Sequence, residues 1–82
     1  MINLEISLFY HLKQKAGVSP IYLRVPQGTT VQQVKDILEN EYPRLTTQLD
    51  NVMILKGKQI VLEDAVLDED AKISFLTPIG GG

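Results

Sequence analysis

The chain has 82 residues, 44% of them hydrophobic, with eight basic against ten acidic side chains and a formal net charge of −2, which describes one small domain with a single modest core. It contains no cysteine, and this excludes a disulfide framework, a thiolate nucleophile and a thiolate-held zinc or iron–sulfur centre. The basic residues are scattered and form no stripe interleaved with aromatics, so nucleic acid is not an expected partner. No run of 18 apolar residues occurs, and Met1 to Glu5 lacks the basic start and long apolar stretch of a signal peptide. A cytoplasmic location with no membrane association is therefore expected.

Ile2, Leu4, Ile6 and Leu8 alternate with Asn3, Glu5, Ser7 and Phe9, a period of two that predicts an opening strand with one buried face. Phe9 breaks the polar side of that pattern and suggests a strand end packed on both faces or a surface anchor. His11 to Ala16 reads as a short irregular or helical turn closed by Gly17. A second strand follows from Ile21 to Val25, with Tyr22 and Arg24 facing out. Pro26-Gln27-Gly28 ends this hairpin. Thr30 is a good N-cap, and Gln33 stands three residues on, in the position of a capping box. The helix it opens runs from Val31 to Glu41. Val31, Val34, Ile37 and Leu38 form its apolar face, and Gln32, Gln33, Lys35, Asp36, Glu39 and Asn40 are expected to face water. Tyr42-Pro43 stops it, because a residue before proline is pushed out of the α region.

Arg44 to Asn51 is a polar connector in which Leu45 and Leu49, four apart, are expected to tuck against the core. Val52 to Leu55 reads as a strand, Lys56-Gly57-Lys58 as a reverse turn and Gln59 to Leu62 as a short edge segment. Asp68-Glu69-Asp70 then makes a turn into a last strand from Ala71 to Leu76. Five short strands and one main helix predict an α+β, two-layer fold with a mixed sheet. With the first and last strands parallel in the centre and a hairpin on either side, this is the β-grasp arrangement. Its expected core is Leu4, Ile6, Leu8, Leu23, Val25, Val34, Leu38, Ile54, Ile73 and Phe75.

Independent chemistry is hard to assemble from these residues. With His11 as the single histidine, no histidine cluster for a metal and no serine–histidine–acid site is expected. Asp68, Glu69 and Asp70 read as a solvated turn or as an acidic rim for a basic partner surface. Phe9, Tyr10 and Tyr22 are candidates for an exposed aromatic patch of the kind that anchors protein interfaces. The sequence ends Pro78-Ile79-Gly80-Gly81-Gly82. A glycine run threads a narrow site where a Cβ would clash; the alternative is a frayed tail. The expected division is a β-grasp domain over residues 1–77 and a flexible glycine-rich tail over 78–82.

An alternating first strand after Met1, Ala16-Gly17, Pro26-x-Gly28-Thr29-Thr30-Val31 opening the helix, Leu67-Asp68-Glu69-Asp70 before the last strand, and Phe75-Leu76-Thr77-Pro78-Ile79-Gly80-Gly81-Gly82 together resemble the small subunits of molybdopterin synthase, within the ubiquitin-like sulfur-carrier proteins. The resemblance covers nearly the whole chain. It departs from that pattern at Thr77, where a second proline is common, at Gly80, where a small side chain is common, and in the Leu55–Lys58 turn.

The resemblance implies a carrier with no catalytic side chains and no cofactor of its own. Gly82 would bear a carboxylate that becomes an adenylate and then a thiocarboxylate. Gly81, Gly80, Ile79 and Pro78 would thread into partner sites. Implied partners are an adenylating enzyme of the ubiquitin-activating type, which uses ATP, a sulfur donor protein and the large synthase subunit. Phe9, Tyr10 and Phe75 are the candidate anchors of the interface, with Asp68, Glu69 and Asp70 as its rim. The same ending suits a ubiquitin-like modifier joined to lysines, or a sulfur carrier for thiamine synthesis or tRNA thiolation. An interaction domain with an inert tail is the remaining alternative.

Overall fold

Strict alternation at the N-terminus becomes strand β1 (Ile2–Leu8), whose Ile2, Leu4, Ile6 and Leu8 are all buried in the computed structural model, which describes residues 1–77. A short helix, α1 (His11–Ala16), buries Leu12 and ends at Gly17, whose φ of 82° is a left-handed cap that favours glycine. Next come β2 (Ile21–Val25), the two-residue β3 (Thr29–Thr30) and the main helix α2 (Val31–Glu41). A 3₁₀ turn over Pro43–Leu45 leads to β4 (Met53–Lys56), β5 (Gln59–Val61), β6 (Val66–Leu67) and β7 (Ala71–Leu76).

Five strands form one mixed sheet in the order β2-β1-β7-β4-β5. Its centre is the parallel pair β1 and β7, in register from Leu4 opposite Ala71 to Leu8 opposite Phe75. The hairpin β1–β2 flanks it on one side, and β4–β5 on the other. Gly57 turns the second hairpin at φ 61°, and its N–H donates to the Lys72 carbonyl at 2.8 Å. The predicted β-grasp topology is thus the one observed.

The α2 start is a complete capping box. The Thr30 hydroxyl accepts from the Gln33 N–H at 3.2 Å, and the Gln33 side-chain oxygen accepts from the Thr30 N–H at 2.9 Å. The helix buries Val31, Val34 and Leu38 on the inner sheet face, where Ile6, Ile73 and Phe75 are also fully covered. Leu45 and Leu49 of the connector are completely buried, as expected, and the core is wider than expected at Leu12 and Leu67, which are completely buried as well. Leu23, placed in the core from its pattern, is only half-buried, although Ile21 and Val25 on the same face of β2 are buried.

Two further features differ from the sequence reading. β3 and β6 pair with each other in a separate two-stranded ribbon, too short to leave a period in the sequence. Lys35, expected to face water, is 3% exposed. The segment after β5 closes over the start of α2, where the carbonyls of Ala65 and Glu63 accept the N–H groups of Val31 and Gln32 at 3.0 and 2.8 Å. Those donors have no partner within the helix. The same closure brings the Glu63 carboxylate 2.8 Å from Lys35 Nζ.

An ammonium this deeply covered needs its anion. Glu63 is itself half exposed, and solvent therefore screens part of the interaction. Glu63→Ala is expected to cost ~1–3 kcal/mol in urea denaturation, with Glu63→Ala/Lys35→Met recovering most of that loss. A loss below about 0.5 kcal/mol, the level of an ordinary surface substitution, would show that the pair holds nothing.

Candidate functional site

Because β1 and β7 are parallel, they finish at the same end of the sheet. Phe9 follows β1 there, and Thr77 follows β7. The Phe9 N–H donates to the Phe75 carbonyl at 3.3 Å, tying the two strand ends together. Phe9 and Tyr10 both remain exposed, at 41% and 57%, with ring centroids 6.5 Å apart and planes inclined by 51°. Tyr10 has φ 56° and ψ −128°, a region that L side chains rarely adopt and that costs about 1–3 kcal/mol. The chain thus makes a strained turn that displays two aromatic rings where β7 gives out.

Strand alternation and register set the outer face of the sheet, the one opposite α2. Leu76 lies opposite Met53, and Leu55 lies between Ser74 and Ile60. With Phe9 at the end of the neighbouring strand, these residues make an apolar half-face around Ser7 and Ser74. Met53 and Ile60 are 44% and 68% exposed. The other half of the face is charged: Glu5 lies between Tyr22 and Lys72, and Lys72 Nζ is 3.4 Å from Glu5 Oε2. One face therefore changes from ionic to apolar along β7, and the apolar end adjoins Thr77.

This arrangement keeps some expected site residues and removes others. Phe9 and Tyr10 are together and exposed. Phe75 is fully buried between Leu8 and Ile54 in the ladder and faces inward with them, so it is a core residue and not an interface anchor. Asp68, Glu69 and Asp70 precede β7 and lie at the opposite end of the sheet from Phe9, about 17 Å away along a six-residue strand. They are no rim to the aromatic pair. Asp70 Oδ1 instead accepts the Asn3 N–H at 2.7 Å, and the Asp68 carbonyl accepts from Gln27 Nε2 at 3.0 Å, securing the starts of β1 and β7. Tyr22 is opposite Glu5 on the charged half, not beside Phe9.

Met53, Leu55, Ile60 and Leu76 are the face residues that the sequence reading missed. Their signal was the alternation within β4 and β5, which assigns them to the side away from Ile54 and Val61. The tail residues Pro78, Ile79, Gly80, Gly81 and Gly82 lie outside the described residues. Among the described residues, no trio of histidine, aspartate and glutamate is placed to hold a metal ion, and no helix is long and apolar enough to cross a membrane.

The ThiS family model matches residues 6–82. The small archaeal modifier protein 3 of Haloferax volcanii is 32% identical, with 99% of this chain and 100% of that protein covered. The molybdopterin synthase sulfur carrier subunit of Arabidopsis thaliana is 24% identical over 99% of this chain and 84% of its own length. The crystal structure of small archaeal modifier protein 1 from Haloferax volcanii superposes with a TM-score of 0.87 at 18% identity, over 96% of this chain and all of that one. A match over 77 of 82 residues, on a β-grasp sheet that such proteins share, is decisive: the chain belongs to the ThiS family of ubiquitin-like sulfur carriers.

Proposed function

We propose that this protein is the sulfur-donating small subunit of a molybdopterin synthase, with Gly82 as its reacting residue. The observation that carries this reading is the continuity of the exposed apolar half-face with the root of the tail. The similarity to the relative from Arabidopsis thaliana, matched over nearly the whole chain, supports the pathway chosen.

A carboxylate is a poor electrophile, because its charge is shared over both oxygens and neither leaves. In the proposed cycle the Gly82 carboxylate attacks the α-phosphate of ATP on an activating enzyme, releasing pyrophosphate and forming an acyl adenylate. The terminal sulfur of a persulfide on a donor protein then displaces AMP at the carbonyl carbon, forming an acyl disulfide. Attack of a second thiol on the donor's sulfur breaks the S–S bond, leaving the thiocarboxylate and a disulfide. Gly81, Gly80, Ile79 and Pro78 enter the narrow sites of both partners, where glycine leaves room that a Cβ would fill. This chain contributes no acid, base or metal to these steps. Those groups belong to the partners.

Ordering a five-residue segment in such a site costs roughly 5–10 kcal/mol at ~1–2 kcal/mol per residue. Burial of large apolar side chains contributes ~1.5–3 kcal/mol each, so three or four of Phe9, Met53, Ile60 and Leu76 offset it. The half-face is thus sized to hold a partner, such as the large synthase subunit, while the tail reaches into that partner. The 32% identity to small archaeal modifier protein 3 favours a second reading, in which the same adenylate is passed to a lysine as an isopeptide. The two part at the product, a free chain heavier by ~16 Da for sulfur in place of oxygen against a chain joined to another protein.

Deleting Gly82 is expected to leave unfolding free energy within ~0.5 kcal/mol and to abolish pyrophosphate exchange with the activating enzyme. Normal exchange by the truncated chain would reject Gly82 as the reacting residue. Phe9→Ala is expected to weaken binding to the large subunit by more than ~1 kcal/mol in calorimetric titration with the fold intact. Tyr10→Gly should separate stability from recognition. Relief of the positive φ is expected to raise stability by ~0.5–1 kcal/mol, while loss of the ring weakens the same binding. Unchanged affinity in both variants would move the docking surface away from the aromatic pair.

A further inference from the structure

Among the described residues, β2 is a free edge of the main sheet. In its antiparallel ladder with β1, every second residue turns its N–H and C=O away from the sheet, and no described residue outside that ladder bonds the backbone of residues 21–25. Leu23, at the middle of the strand, points to the inner face and is half-buried. Beside the end of β2, a shallow groove lined by Pro26, Thr29, Gln33, Asp36 and Ile37 separates it from α2. This edge lies three strands from β4 and belongs to no part of the apolar half-face.

We infer that β2 is a self-association edge, which pairs antiparallel with β2 of a second copy about a two-fold axis through Leu23. The strand reads Ile21-Tyr22-Leu23-Arg24-Val25, and it is its own complement. Two-fold antiparallel pairing centred on Leu23 sets Ile21 opposite Val25, Leu23 opposite Leu23 and Tyr22 opposite Arg24 of the mate. The inner-face residues then continue one apolar layer across the junction, covering the half-exposed Leu23. On the outer face, Tyr22 at 71% exposure and the exposed Arg24 meet their counterparts twice, each a cation–π contact between directly opposed side chains.

The register is selective. Same-face pairing requires a shift of two residues at a time. Centring on Arg24 would oppose two guanidinium groups, and centring on Tyr22 would set Arg24 against Pro20. Both alternatives also shorten the paired stretch, because Pro20 and Pro26 bound it and lack an N–H to donate. A second copy is the occupant for which the strand itself supplies every opposing residue. The product is a ten-stranded sheet with both α2 helices on one side and both apolar half-faces open on the other.

Five paired residues bury less than the ~1,200–2,000 Å² of a stable interface, so the dimer is weak, with Kd of about 0.1–1 mM. Sedimentation velocity and amide NMR shifts of the full chain, from about 0.05 to about 2 mM, are expected to show a monomer–dimer equilibrium with the largest shifts at residues 21–25. Arg24→Glu removes both cation–π contacts and should weaken association about tenfold. Tyr22→Arg, which opposes two cations, should weaken it at least as much. Tyr22→Arg/Arg24→Glu restores opposite charges at the paired positions and should recover wild-type association or exceed it.

Both side chains are exposed, and circular dichroism of each variant is expected to match the parent. A chain that stays monomeric throughout the range would overturn the inference, as would a double variant no better than the single ones. Association dispersed by Met53→Glu and indifferent to Arg24→Glu would also overturn it, by placing the contact on the apolar half-face. None of these readouts involves Gly82, so they stand or fall apart from the sulfur-carrier chemistry.

Discussion

The parallel pairing of β1 with β7 is the constraint on which the molecule's geometry depends. Paired residues of these strands are 67 apart in sequence, yet Leu4 to Leu8 lie directly against Ala71 to Phe75. Parallel neighbours cannot be joined by a tight turn, and the intervening chain must return from one end of the sheet to the other. Antiparallel β2 brings it back once, α2 crosses the inner face toward the far end again and supplies Val31, Val34 and Leu38 to the core, and the segment after β5 leads back to the start of β7. The same direction of travel delivers Phe9 and Thr77 to one end. An antiparallel centre would have put the aromatic turn and the tail root at opposite ends, and no single partner surface would then reach both.

The inner and outer faces are held by different physics. Inside, sixteen apolar residues among those described are buried in one cluster, and the loss of any large side chain there leaves a void among close-packed neighbours. At the margin of that cluster the chain uses polar closure: a capping box, two loop carbonyls on the first helical N–H groups, and a buried lysine neutralised by Glu63. The segment from Leu62 to Leu67 is therefore fixed without a long strand. It serves as the lid on the start of α2, and its Leu67 closes the core from that side.

Much of this was legible in the sequence because the signals were periodic or local. The alternation in Ile2–Leu8, the Thr30–Gln33 spacing and the break before Pro43 depend on neighbours in the chain, and their elements occur within a residue or two of where they were expected. The errors concern facts that only the tertiary arrangement decides. Lys35 falls on the polar side of a helical wheel, and nothing nearby in sequence reveals that Glu63 will cover it. Leu23 has the right parity for the core, but parity does not say how far the layer beneath it reaches, and Ile21 and Val25 on either side are buried where Leu23 is not. Asp68 to Asp70 precede the strand that leads to the tail, and closeness in sequence was mistaken for closeness in space: a six-residue strand carries its two ends about 17 Å apart. Phe75 shows the converse, for its own alternation with Ile73 already turned it inward.

Separation of surfaces is what lets one small sheet serve several encounters. Exposed faces serve recognition and the buried face serves packing, so the two sides of the sheet can differ in character without conflict. The outer face here is graded along β7, from the Glu5–Lys72 ion pair at one end to Leu76, Met53 and Phe9 at the other. A partner that prefers apolar contact is thereby oriented with its entrance toward Thr77, since the reverse placement would bury charges against an apolar surface without compensation. Tyr10 adds to this orientation at a local energetic cost. Its strained φ is maintained by the bond from Phe9 to Phe75 on one side and by buried Leu12 on the other, neither of which is needed to display a ring unless the ring is to be met. The free β2 edge lies outside this gradient, three strands away, where pairing between copies would leave the path from Phe9 to the tail root open.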